Sequence, residues 1–145
     1  KFLKNKSTTE HRFEKVEIIN GTRFINDSKS TNFHSVSSAS ERVKNAILIM
    51  HGITKNIPTI ELQLSNEIKK IIIPKDMNLD HNLFNCEVEV IKSIFELEDI
   101  LKKDFQRFET VLFSCGGSSF NDFENYIERG KFFKSIVKNL KGGQN

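Results

Sequence analysis

A chain of 145 residues, 37% hydrophobic and 28% charged, with 13 Phe and no Trp, has the length of one domain and can bury roughly 70% of the surface its unfolded form exposes. Its 22 Lys and Arg against 19 Asp and Glu leave +3, a scattered excess without the basic stripe and interleaved aromatics expected of a nucleic-acid binder. Two cysteines cannot build a disulfide framework or a spaced zinc site, no apolar run approaches the roughly eighteen residues of a membrane span, and no signal-peptide core is visible, so a cytoplasmic protein is expected.

Phe13 to Ile19 alternates apolar and charged residues, Asn20-Gly21 follows, and Thr22 to Ile25 alternates again, which predicts a β-hairpin. The stretch FINDSKSTN, residues 24–32, then leaves a strand for a run of polar residues. Asn32 can cap a helix whose apolar side uses Phe33, Val36, Ala39 and Val43. Ala46 to Met50 is continuously apolar, and similar runs recur at Ile71 to Ile73 and Val111 to Phe113, with the more alternating Val88 to Ile91 between them. Helical patterns are expected over Ile60 to Ile68, Phe95 to Phe105 and Phe120 to Leu140. The last carries an apolar stripe through Phe120, Phe123, Ile127, Phe132, Phe133, Ile136 and Val137, interrupted at Gly130 and read as core packing for a terminal helix pair. Lys141 to Asn145 reads as a disordered tail. Strands apolar on both faces and separated by helices predict an α/β, Rossmann-like fold, a mostly parallel sheet covered on both faces, with an N-terminal β-hairpin.

In such a sheet ligands bind beyond the carboxyl ends of the strands, where strand-to-helix loops gather. Three polar loops follow strands here: DSKSTN after Ile25, HGITKN after Met50 and SCGGSS after Phe113. Right-handed crossovers would bring them to one edge, which would then hold two Lys, one Asp, several hydroxyls and a glycine pair. That is the profile of a site for an anionic ligand.

His11-Arg12-Phe13-Glu14 looks like an HRxE motif, Phe24 to Asn32 is similar to INDSKATN with a difference at Ser30, Ile49 to Lys55 looks like a strand and GGxDKG loop, and Leu112 to Gly130 is similar to LLSPACASFDQFKNFEERG. In this order the four segments resemble the C-terminal domain of the Mur ligases, in the branch that adds D-glutamate. The resemblance implies an ATP-dependent amide-bond ligase of peptidoglycan synthesis, hence of cell-wall growth, cell shape and division. In such enzymes ATP phosphorylates the carboxylate of UDP-N-acetylmuramoyl-L-alanine, and the D-glutamate amine attacks the acyl phosphate. Residues 1–10 would be the end of an inter-domain linker and 11–140 the domain that binds the amino acid and contacts ATP. The central domain of the same chain would supply the phosphate loop and most ligands of Mg. No G-x-x-x-x-G-K-[ST] occurs in these residues, so the resemblance implies that this chain alone is inactive, with neither catalytic residues nor metal ligands of its own.

The same resemblance assigns Arg12, Asp27 and Lys29 to ATP, Arg12 at the phosphates, where a planar fork suits an oxyanion, and Asp27 at the ribose. Without it, Asp27 would be read as a helix cap or Asx-turn and Arg12 as a surface ion pair, with His11 structural. D-Glutamate has two carboxylates, and the resemblance places Lys29, Thr31, Lys55, Ser119 and Tyr126 around them. His51 stands where the motif has its first glycine, which puts the path of the HGITKN loop in question. Cys115, followed by Gly116-Gly117, has no His or Asp placed by motif to activate it as a nucleophile. Two rival functions are a sibling ligase with another amino acid, against which stands the lack of a DNPR-type motif, and a non-catalytic module binding a nucleotide or a dicarboxylate.

Overall fold

A computed structural model describes residues 10–54 and 58–143. The chain opens with a hairpin of β1 (Glu14–Ile19) and β2 (Thr22–Asp27), paired Ile19 to Thr22 and Ile18 to Arg23, with the register shifting between Lys15 and Glu17. Asn20 at φ 50° and Gly21 at φ 87° both occupy the left-handed region, as a two-residue hairpin turn of the primed type requires.

Helix α1 (Phe33–Ser40) follows, then β3 (Ala46–His51), β4 (Ile68–Pro74), β5 (Glu87–Ile91), α2 (Leu97–Asp104), β6 (Thr110–Gly116) and α3 (Tyr126–Gly142). The strands form one six-stranded sheet in the order β1-β2-β6-β3-β4-β5. Only the β1–β2 pairing in this sheet is antiparallel. The expected α/β, mostly parallel, Rossmann-like sheet with an N-terminal hairpin is thus the architecture observed.

Alternation along the central strands sorts the core into two layers. Ile47, Ile49, Ile72, Val111 and Phe113 face Leu97, Leu101, Phe133, Ile136 and Leu140 of α2 and α3. Leu48, Met50, Ile71, Ile73 and Leu112 face Phe33, Val36 and Ala39 of α1, together with Leu62, Met77 and Phe84 of the connecting loops. Strands buried on both faces need apolar residues at every position, which is why β3 reads AILIM before its terminal His51.

Several expectations change. The segment Ile60 to Ile68 is not a helix: a single 3-10 turn at Thr59–Glu61 leads to irregular chain, and β4 starts at Ile68. The serines of α1 capture its backbone, Ser37 Oγ donating to the Glu61 carbonyl at 2.9 Å and accepting from the Gln63 amide at 2.9 Å, while Ser40 Oγ accepts from the Ser65 amide at 3.0 Å. Those side-chain bonds replace the intrahelical ladder. The terminal helix begins at Tyr126 rather than Phe120, because Asn125 caps it by accepting from the Glu128 amide at 2.9 Å. It is also one helix through Gly130, not a pair, and it continues through Lys141 and Gly142 into the segment expected as tail, with Lys141 Nζ 2.7 Å from Glu17. Phe120 and Ile127, expected on the core stripe, are exposed.

Candidate functional site

The carboxyl ends of β2, β6 and β3 lie side by side, so their three polar loops meet. The Gly116 amide donates to the Ser30 carbonyl at 3.0 Å, and Ile53 and Ser118 exchange both backbone bonds at 2.9 and 3.0 Å. That bridge needs a bare backbone at Gly52, which sits at φ 127° and whose added Cβ would fall 2.4 Å from the Ser118 carbonyl oxygen. His51, by contrast, ends β3 in strand geometry, which any residue adopts. The loop path doubted for its His-for-Gly exchange is therefore met without left-handed backbone at residue 51.

Asp27, at the end of β2, is buried, and both its carboxylate oxygens are engaged. Oδ1 accepts from the Phe13 amide at 2.8 Å and Oδ2 from the Ser114 hydroxyl at 2.7 Å. Asn32, not Asp27, caps α1, accepting from the Ser35 amide at 2.8 Å. Burial pushes the Asp27 carboxyl above the usual carboxylate range, against the pull of Ser114, Phe13, Arg12 and Arg42. Beside it, Asn26 donates to His11 Nδ1 at 2.8 Å and to Glu14 Oε1 at 3.0 Å and accepts from the Ser28 amide at 3.2 Å. Asn26 and Asp27 of the polar stretch are thus tied into the protein, and His11 is held there through Nδ1.

Arg12, Asp27 and Lys29 line one cleft of about 250 Å³ with Ser30, His34 and Arg42. Arg12 is exposed, and Arg42 stacks its guanidinium 3.8 Å from the centre of the Phe13 ring. The Lys29 amide donates to the His11 carbonyl at 2.9 Å, and its Nζ lies 5.6 Å from the centre of the Tyr126 ring. The cationic end of DSKSTN therefore stands between the cleft and the start of α3. Thr31 is exposed on the same loop. Ser119 is buried, its carbonyl accepting from the Asp122 and Phe123 amides at 3.2 and 2.9 Å. Lys55 lies outside the described residues. Cys115 is fully buried and its thiol is pushed up to about 12 by burial, a state without nucleophilic character.

Sequence reasoning missed Arg129. It is wholly buried at the foot of α3 and donates five hydrogen bonds, to Ser28 Oγ (3.1 Å), the Ser28 carbonyl (2.8 Å), His51 Nδ1 (3.1 Å), the His51 carbonyl (3.1 Å) and the Gly117 carbonyl (2.8 Å). One guanidinium thus holds all three loops. Because it can only donate, His51 Nδ1 is the acceptor and Nε2 carries the proton, which it gives to Asp122 Oδ2 at 2.8 Å. Burial, with Arg129 adding to it, holds the His51 imidazole below the usual histidine range, against Asp122 and Asp76. The signal was available: Arg129, Phe133, Ile136 and Leu140 share one buried helical stripe, and a charge on such a stripe asks for a built partner set.

Among the described residues no group of three or more His, Cys, Asp or Glu could hold a metal ion, and no helix is long and apolar enough to cross a membrane.

No protein-family model matches the chain. Searches of curated proteins find UDP-N-acetylmuramoylalanine–D-glutamate ligases. The one from Thermosipho africanus is 37% identical and aligns with 99% of this chain and 35% of its own length. The one from Thermosipho melanesiensis is 35% identical over 98% of this chain and 34% of its own, and that from Christiangramia forsetii 36% over 90% and 31%. The chain spans about a third of the length of the relatives it matches.

Proposed function

The chain belongs to the UDP-N-acetylmuramoylalanine–D-glutamate ligase group of the Mur ligase family, and from that premise we propose that it is the C-terminal, amino-acid-binding domain of such a ligase, working in the cytoplasm. The observation that carries this reading is the meeting of three polar loops at one sheet edge, with Arg12, Asp27 and Lys29 around a single cleft.

The donor set fits a nucleotide. Arg12 offers a planar fork to phosphate oxygens, and Asp27 keeps lone pairs beyond its two internal bonds for ribose hydroxyls. Lys29 adds a point charge at the boundary between the nucleotide and the amino acid. Bound ATP supplies the phosphoryl group that activates the carboxylate of UDP-N-acetylmuramoyl-L-alanine. Mg would take its ligands from a central domain of a longer chain. For D-glutamate, two carboxylates call for separated donors, and Lys29, Thr31, Lys55, Ser119 and Tyr126 are the groups proposed. These residues bind and orient; none acts as acid, base or nucleophile, so the domain alone is expected to be inactive.

A non-catalytic binding module is the rival reading, and its best support is the departure of the HGITKN loop from the family's glycine pattern at His51. The strand geometry of His51 and the close approach at Gly52 weigh against treating that loop as decayed. The deciding experiment is phosphate release by the full-length protein with ATP, Mg and UDP-N-acetylmuramoyl-L-alanine across a panel of L- and D-amino acids. Release dependent on D-glutamate alone is expected; release with another amino acid would make it a sibling ligase, and none with any would favour the binding module.

A further inference from the structure

We infer that His51 is a positioning residue for the amino-acid subsite, acting through Asp122 on the segment that carries Ser119 to Tyr126 and through Arg129 on the three loops. The inference rests on the ligase reading above, since the subsite it organises is the one proposed there for D-glutamate.

His51 is wholly buried at the end of β3, on the same strand face as Ile47 and Ile49, against α3. Its imidazole joins two unlike partners. On one side Nδ1 accepts from Arg129 at 3.1 Å; on the other Nε2 donates to Asp122 at 2.8 Å. Asp122 is an exposed residue of the irregular stretch between β6 and the Asn125 cap of α3. Within that stretch the order comes from the Ile53–Ser118 bridge, from the Ser119 carbonyl accepting two amides, from Asn121 donating to Asp76 at 3.4 Å, from Phe123 packing on Phe95 and Phe132, and from this side-chain tie to the strand below. Phe123 rests edge-on against the His51 ring at 5.4 Å. The imidazole is therefore one of the supports on which residues 118–123 are set, and it reaches Ser119 through Asp122, whose own amide donates to the Ser119 carbonyl.

Arg129 needs the same ring. Its other four acceptors are Ser28 Oγ and three backbone carbonyls, so the His51 nitrogen is its contact to a side chain of β3. Through Ser28, whose hydroxyl donates to the Tyr126 carbonyl at 2.7 Å, the guanidinium sets DSKSTN against the first turn of α3. Lys29 and Tyr126 stand on either side of that junction. A neutral ring that accepts on one nitrogen and donates on the other is required, and the two functions can be separated by substitution. Asn places an oxygen near the Nδ1 position and can serve Arg129 only; Gln places an amide nitrogen near Nε2 and can serve Asp122 only.

The test is steady-state kinetics of the full-length protein with H51L, H51N, H51Q and D122A, joined to amide hydrogen exchange over residues 117–126. H51L and D122A are expected to raise the KM for D-glutamate about tenfold, the scale of one lost charged hydrogen bond, with the KM for ATP within about twofold in D122A, which leaves the His51–Arg129 bond in place. Exchange over 117–126 should quicken in both. H51Q is expected to recover most of the D-glutamate KM, and H51N to recover little of it. D122A alters a residue outside the hydrophobic core, so it keeps the test alive if H51L does not fold. An active wild type whose D-glutamate KM is unmoved by D122A overturns the role alone, as does a uniform fall in kcat and both affinities that H51Q fails to rescue. A wild type that releases no phosphate with D-glutamate overturns the ligase reading, and the role falls with it.

Discussion

Asp27 engages both carboxylate oxygens inside the protein, on the Phe13 amide and the Ser114 hydroxyl, so its removal has two consequences of different kinds. Asp27→Ala orphans two donors and is expected to cost about 1–3 kcal/mol of stability by urea denaturation. In the full-length enzyme it is also expected to weaken ATP more than D-glutamate, and equal weakening of both would leave it a folding role only. The buried carboxyl has a pH sign of its own. Its folded-state value is raised, so the folded chain holds the proton longer than the unfolded one, and this group's contribution to stability falls as pH rises through that window. Lys29→Ala and Thr31→Ala are expected to raise the D-glutamate requirement, about tenfold or more where a charged contact of about 1.5–3 kcal/mol is lost. Unchanged kinetics in both variants would end the pocket assignment. The polar stretch was legible in the sequence as the end of a strand. What was not legible is the division within it: Asn26 and Asp27 turn inward to partners as many as 87 positions away in the chain, while the side chains of Lys29 and Thr31 are left for solvent or ligand.

At the scale of elements, α3 shows why a helical pattern alone misplaces its ends. The stripe from Phe120 onward is compatible with a helix from residue 120, but Asn125 caps and the Ile53–Ser118 bridge holds the preceding chain in another shape. Gly130 looked like a break and is instead an interior helix position where His11 lies so close that an added Cβ would fall 2.0 Å from its Nδ1. Alanine is the better helix former by roughly 1 kcal/mol. Here Gly130→Ala is nevertheless expected to destabilise, by about 1–3 kcal/mol, since the buried His11 must be displaced; a variant of higher denaturation midpoint would show that the His11 ring yields freely. The segment 60–68 failed for a related reason. Its residues Ile60, Leu62, Leu64 and Ile68 suit a helix or an extended chain about equally, and the hydroxyls of Ser37 and Ser40 on α1 decided between them.

For the whole molecule, two buried histidines, His11 and His51, lie below the usual histidine range, chiefly through burial. The unfolded chain then binds more protons than the folded one around and below the ordinary histidine value, so stability rises with pH through that window and is lost on acidification. A thermal midpoint that falls between about pH 7 and about pH 5, with a shallower fall in His51→Gln, is expected; an unchanged slope in that variant would place the acid sensitivity elsewhere. Strand periods, the Asn-Gly turn and the apolar runs by themselves determined the α/β class and the hairpin, because each depends on local geometry or on a local run of apolar residues, whereas the meeting of the three polar loops needed the order β2-β6-β3. The motif order likewise pointed to the family. Only the tertiary structure decided that Arg129 ties those loops together, that His51 stands between it and Asp122, and that residues 60–68 stay out of a helix. Each of these depends on a polar group finding a partner far along the chain, and such a pairing leaves no period in the sequence from which it could be read.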